Sequence, residues 1–78
     1  MARHKIRKKL GHSIRLKRKS LDLSQEDLAS LIGISTKALS NIENGRSYPC
    51  LESSASIKSH TGLDCQKILI KCHKELLT

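Results

Sequence analysis

Between Ser24 and Arg46 the chain reads SQEDLASLIGISTKALSNIENGR, and the placement of its small polar residues and glycine leaves little freedom of structure. Ser24 stands before an apolar-periodic run with Asp27 three residues on. At that spacing a capping side chain and a carboxylate one turn later satisfy each other's free backbone N–H groups. Leu28, Leu31 and Ile32 fall at i, i+3 and i+4, which predicts a helix over Gln25–Ile32 with one buried face. The small Ala29 lets a second helix cross closely. Gly33 ends the first helix, because glycine enters the left-handed conformation of a helix C-terminus without a Cβ clash. Ile34 plugs the turn, Ser35 caps a second helix, and Asn44-Gly45 closes it. Ala38, Leu39 and Ile42 face inward on that second helix, while Thr36, Lys37, Ser40 and Asn41 stay on its outer side. The stretch predicts a helix-turn-helix.

The rest of the chain reads as support for this pair. Of 78 residues 1% are aromatic, Tyr48 alone, so the core has only Leu, Ile, Ala and Cys to draw on. Strands, which favour aromatic and β-branched runs, are not expected. A preceding helix runs to about Ser20 and turns Leu10, Ile14 and Leu21 toward the core. Residues 1–9 are either a basic arm or its first turns, with Ile6 in phase with Leu10 and Ile14. A fourth helix spans about Leu51 to His60, with serines at 53, 54, 56 and 59 and only Leu51, Ala55 and Ile57 apolar. Gly62 ends it. Asp64 caps a fifth helix that presents Ile68, Leu69, Cys72, Leu76 and Leu77. The expected fold is all-α, one compact five-helix domain over residues 10–78.

Charge narrows the partners. The formal net charge is +8, and nine Lys/Arg residues with no Asp or Glu lie between Arg3 and Lys19, against six basic and seven acidic residues in the rest of the chain. A basic block on a near-neutral body attracts polyanions, nucleic acid above all, or else serves as a solvated terminus. A transit peptide or membrane-surface helix would need a broad apolar face, and Ile6, Leu10 and Ile14 form only a narrow stripe. No apolar run approaches the ~20 residues of a membrane span.

Cys50, Cys65 and Cys72 are odd in number and follow no secretory signal, which argues against a disulfide framework and for a reducing, cytoplasmic setting. Cys72-His73 with Cys65 and His60 lacks the paired spacing of a structural zinc site, so no metal and no cofactor is expected. No nucleophile pairs with a base, and His4, His12, His60 and His73 are scattered, so the chain is not expected to be an enzyme.

Leu23-Ser24-Gln25-Glu26-Asp27-Leu28-Ala29, Gly33-Ile34-Ser35 and Ala38 through Arg46, in this order and spacing, resemble the lambda-repressor/Cro-like helix-turn-helix family over about Leu10 to Leu69. The resemblance implies a DNA-binding domain whose second motif helix enters the major groove. Thr36, Lys37 and Asn41, with Ser40 behind them, then correspond to base-contacting positions. Lys suits guanine O6 and N7, Asn suits adenine N6 and N7, and a Thr methyl suits thymine. Gln25, Ser35, Asn44, Arg46 and Ser47 correspond to phosphate contacts. Arg18 and Glu43 correspond to a buried ion pair between the first helix and the end of the third. Departures are Ser54 and Thr61 where leucine is usual, Cys50 where a Ser, Thr or Asp cap is usual, and Tyr48 where Asn or a basic residue is usual.

The implied function is a sequence-specific double-stranded DNA-binding regulator, a small bacterial or phage repressor. It would act as a homodimer through the fourth and fifth helices on a palindromic operator, with the basic arm adding phosphate contacts or reaching around the duplex. The alternative is a protein-binding module on the same fold, such as an antitoxin that covers a toxin or a bridging factor.

Overall fold

The computed structural model describes residues 2–65, 67, 68 and 70, with residues 2–4 in their backbone only. Among them are four helices, α1 (Ala2–Ser20), α2 (Gln25–Ile32), α3 (Thr36–Glu43) and α4 (Leu51–Thr61). The basic segment 2–9 is the start of α1, continuous with the rest of it. Residues 65, 67, 68 and 70 are helical, and Asp64 caps them with its Oδ1, which accepts from the Lys67 N–H at 3.2 Å. The remainder of the expected fifth helix, with Leu69, Cys72, Leu76 and Leu77, lies outside the described residues.

The caps act as their residue types dictate. Ser24 Oγ accepts from the Asp27 N–H and Asp27 Oδ2 accepts from the Ser24 N–H, both at 3.0 Å, a reciprocal capping box. The Ser24 backbone N–H, and its hydroxyl after it, hold the Asp27 carboxyl below the usual carboxylate range. A carboxyl depressed in the folded state adds stability above its unfolded pKa, and that contribution fades as pH falls through the folded value. Asp27→Asn is therefore expected to flatten the acid limb of the stability curve below about pH 4, as read by urea unfolding at stepped pH. Ser24→Ala, which removes the other half of the box, is expected to cost about 1 kcal/mol. Ser35 Oγ caps α3 in the same way, accepting from the Ala38 N–H at 3.0 Å.

Leu10, Ile14, Leu28, Ala29, Ile32, Leu39, Ile42, Ile57 and Cys65 form the core, with Leu23, Ile34, Leu63 and Ile68 packed against it. α1 packs on α3, and α2 packs on both α3 and α4. Two apolar residues expected inward, Leu31 and Leu21, are exposed, and so are Leu51 and Ala55 on α4. Leu31 is 46% exposed, because the buried face of α2 is centred between Leu28 and Ala29 and Leu31 sits roughly 100° away from that centre. Leu21 is 43% exposed. It has left the helical phase of α1, and the chain reverses through Asp22 at φ 57° so that Leu23 turns inward instead. Leu51 is 76% exposed, and Ala55 is exposed too, because α4 buries Ser53, Ile57 and Thr61.

Burying Ser53 and Thr61 is tolerable because their hydroxyls are used locally. Thr61 Oγ1 donates to the Ile57 carbonyl at 2.6 Å and accepts from the Leu63 N–H at 3.2 Å. Ser53 Oγ lies 3.2 Å from Cys50 Sγ. Cys50 is the N-cap of α4 but makes no side-chain cap bond, and its hydrogen bonds with Ser53 lower the thiol pKa. Burial raises that of Cys65.

Gly11, in the middle of α1, is closely packed. A Cβ there would lie 2.3 Å from the Ile42 carbonyl oxygen and 2.6 Å from that of Glu43. Glycine lets α1 lie directly on the C-terminal end of α3 at this point.

Candidate nucleic-acid interface

The helix-turn-helix is held at a fixed angle by one polar cluster. Arg18 Nε donates to Glu43 Oε2 at 2.7 Å and Arg18 Nη2 to Glu43 Oε1 at 3.2 Å, a bidentate pair spanning 25 residues. Both residues are buried, at 8% and 6% exposure. Arg18 Nη1 donates to the Leu23 carbonyl at 2.8 Å, and Gln25 Nε2 donates to Glu43 Oε1 at 3.0 Å. One ion pair thereby ties together α1, the link into α2, the first residue of α2 and the last residue of α3. A buried charge is tolerated only with such pairing and saturation of its lone pairs. The Gln25 contact was not foreseen from the sequence. It commits one amide N–H of Gln25 to Glu43 and leaves the second N–H for a partner outside the domain.

On α3, Thr36 and Lys37 are exposed, while Ser40 and Asn41 are half-buried. Thr36 and Lys37 are thus more open to solvent than Asn41, which sits closer to the domain. Ser40 Oγ accepts from Asn44 Nδ2 at 3.3 Å, so these two side chains form a unit at the end of α3. Ser35 is exposed at the start of the helix, its oxygen used for capping and its hydroxyl proton free to donate.

The loop after α3 is closed by backbone geometry. Gly45, at φ 75°, ends α3 in the left-handed conformation, and the Arg46 N–H donates to the Asn41 carbonyl at 2.8 Å. Arg46 and Ser47, both exposed, are thus fixed next to Asn41. Gly45 is buried against α1, where an added Cβ would lie 2.7 Å from Lys8 Cγ and 2.9 Å from Lys8 Cα. The loop and α1 meet again where the Arg7 guanidinium lies 5.8 Å from the centre of the Tyr48 ring, within cation–π range. Arg7 Nε is buried without a hydrogen-bond partner among the described residues. Neither contact was read from the sequence.

The expected site residues thus fall into two neighbouring groups. Ser35, Thr36, Lys37, Ser40 and Asn41 lie along α3, and Asn44, Arg46 and Ser47 cluster at its end. Gln25 joins them through Glu43, the terminal residue of α3. No described helix is long and apolar enough to cross a membrane.

Comparison with known proteins agrees with this geometry. Residues 14–53 match the model of a helix-turn-helix family. A stretch of 57 residues is 42% identical to the ImmF control region 10 kDa protein of Bacillus phage phi105, covering 73% of this chain and 63% of that protein. The chain therefore spans less than two thirds of the length of this relative. A crystal structure of the clp gene regulator ClgR from Corynebacterium glutamicum superposes with a TM-score of 0.73 at 26% identity, over 92% of this chain and 77% of that one. A second structure of that regulator gives 0.70 at 27% identity, over 90% and 91%. With the capped helix pair, its outer face and these matches in agreement, the chain belongs to the lambda-repressor/Cro-like helix-turn-helix family of DNA-binding regulators.

Proposed function

We propose that the protein is a sequence-specific double-stranded DNA-binding regulator, a repressor of the bacterial or phage type, that reads its operator with α3. The observation that carries this reading is the outer side of α3 and its following loop. Exposed Thr36 and Lys37 and half-buried Asn41 stand beside exposed Asn44, Arg46 and Ser47, all on a frame held by the Arg18–Glu43–Gln25 cluster. Thr36, Lys37 and Asn41, with Ser40 beside them, contact base edges. The second amide N–H of Gln25, the hydroxyls of Ser35 and Ser47, Asn44 and Arg46 hold phosphates on either side. The similarity to a phage control-region protein supports the phage type.

The operator is palindromic and bound by a homodimer, with half-sites about one helical turn, ~34 Å, apart. The dimer surface is the α4 side, where the exposed Leu51 borders a groove of about 160 Å³ lined also by Ser54, Ala55, Lys58, Asp64 and Cys65. The same surface would serve a toxin or other protein partner in the alternative, adaptor reading.

Selection of bound duplexes from a random pool is the direct test. The expected outcome is an enriched palindrome, and Lys37→Ala should relax preference at one base pair of each half-site by about 1–3 kcal/mol. Absence of any enriched sequence would reject the DNA-reading function and favour the adaptor.

A further inference from the structure

The strongest charged surface outside α3 and its loop is α1. Lys5, Lys8, His12, Arg15 and Lys19 are all exposed. On an α-helix these five fall within about 80° of each other around the axis and extend about 21 Å along it. The helix, ARHKIRKKLGHSIRLKRKS, contains no acidic residue to offset them. Such a stripe does not help the helix itself. Lys5 and Lys8 at i, i+3 and Arg15 and Lys19 at i, i+4 are like charges that repel, and cations in the first turns oppose the helix dipole. Leu10 and Ile14 go into the core from the other side of the helix, with buried Gly11 and Arg18 on its flank, and the stripe meets the domain along its edge at Lys8.

Its position, more than its charge, points to a partner. Lys8 belongs to the stripe and is also the residue on which Gly45 rests, immediately before Arg46 and Ser47. Arg7, one position earlier, is stacked on Tyr48, immediately after them. The loop assigned to phosphate contacts is therefore bracketed by two contacts with the first turns of α1. A helix held in this way cannot wrap around a duplex as a loose arm would. It extends the loop's positive surface in a fixed direction.

We propose that the exposed face of α1 is a second DNA-backbone surface, with Lys5 and Lys8 contacting phosphates that flank the segment read by α3. The inference rests on the DNA-binding reading. The Gly45–Lys8 contact and the Arg7–Tyr48 stack set the angle of the helix to the loop. The occupant is a phosphodiester backbone because the stripe is long, lacks acidic residues and is continuous with the Arg46–Ser47 loop.

The test compares salt dependence of binding to a mixed-sequence duplex of about 30 base pairs, since phosphate contacts do not require a particular sequence. Lys5→Gln with Lys8→Gln keeps the side-chain stem at Gly45 and removes two charges. Lys17→Gln removes a charge from the side of α1 away from the stripe. The α1 double variant is expected to have a slope of log K against log salt shallower by about 1.8, two contacts at ~0.9 each, with the control slope unchanged. Equal slopes in the Lys5/Lys8 double variant and the Lys17 control, or a double variant matching wild type, would overturn the proposal while leaving DNA binding by α3 intact. A wild-type protein with no salt-dependent binding would remove both. Far-UV thermal melts of each variant keep loss of folding apart from loss of contact.

Discussion

Glu43→Gln is expected to cost the domain about 3–5 kcal/mol, a large part of what a chain of 78 residues has available. Glutamine has nearly the same volume, so packing is preserved and the loss isolates charge and hydrogen bonding. The Glu43 carboxylate accepts from Arg18 Nε, Arg18 Nη2 and Gln25 Nε2. An amide offers a single acceptor oxygen and turns an NH₂ group toward donors, leaving the Arg18 guanidinium buried with its charge uncompensated. At about 4–8 °C per kcal/mol for a domain of this size, the melting temperature should fall by more than about 10 °C. Replacing both partners with apolar residues, Arg18→Met with Glu43→Leu, should cost less than the single change, because no orphaned charge remains. A single variant that melts with the wild type would show that the pair does not hold the fold. The double variant still removes the anchor of Gln25, so its DNA affinity should stay low even where its stability recovers.

Gly11→Ala is the second large effect, and its sign distinguishes local propensity from tertiary packing. Alanine is favoured over glycine inside a helix by about 1 kcal/mol, so α1 considered alone predicts stabilisation. In the structure the new Cβ would lie 2.3 Å from the Ile42 carbonyl oxygen, 2.6 Å from the Glu43 carbonyl oxygen and 2.9 Å from the Glu43 carbonyl carbon. All three are backbone atoms at the end of α3, and none can rotate aside. Helix α1 must lift away from α3, with an overpacking penalty of about 1–3 kcal/mol in addition to strain on the Arg18–Glu43 bonds about two turns further along α1. The expected net result is destabilisation by about 2 kcal/mol, read from urea unfolding. A stabilised variant would mean that α1 rides further from α3 than described. Because both changes act through Glu43, Gly11→Ala combined with Glu43→Gln should be less than additive.

Legibility followed the range of the interactions. The Ser24–Asp27 box and the Ser35 cap join residues three apart, and the chain spells them out wherever it is read. The inward residues of α3 and the Leu28–Ile32 face of α2 follow from helix period. Leu21 and Leu31 did not, since period names a face only to within the width of its neighbours, and which leucine is covered depends on where the other helices lie. In α4 the sequence pattern picked out Leu51, Ala55 and Ile57 as apolar, and of these Ile57 alone is buried, on a line with Ser53 and Thr61. Serine and threonine can occupy such a line because their hydroxyls bond to the adjacent helix turn. Hydrophobicity alone does not reveal that.

The α3 residues named as base-facing were legible as an outer face by their polarity. The frame behind them was not. Arg18 and Glu43 entered by resemblance, and nothing local to either residue predicts a partner 25 positions away. The engagement of Gln25 by Glu43, the Arg7–Tyr48 stack and the Lys8–Gly45 contact arise only when three segments meet.

What the sequence by itself determined is thus the helix-turn-helix, its caps and turn, the all-helical class and the polarity of the outer face of α3. These rest on backbone hydrogen bonds and side-chain periods within one or two turns. What only the tertiary structure decided is how closely α1 lies on α3, which apolar residues are covered, how Gln25 is held, and where the basic stripe of α1 is directed. Each of these depends on the relative placement of segments far apart in the chain, and a short-range pattern contains no information about that distance.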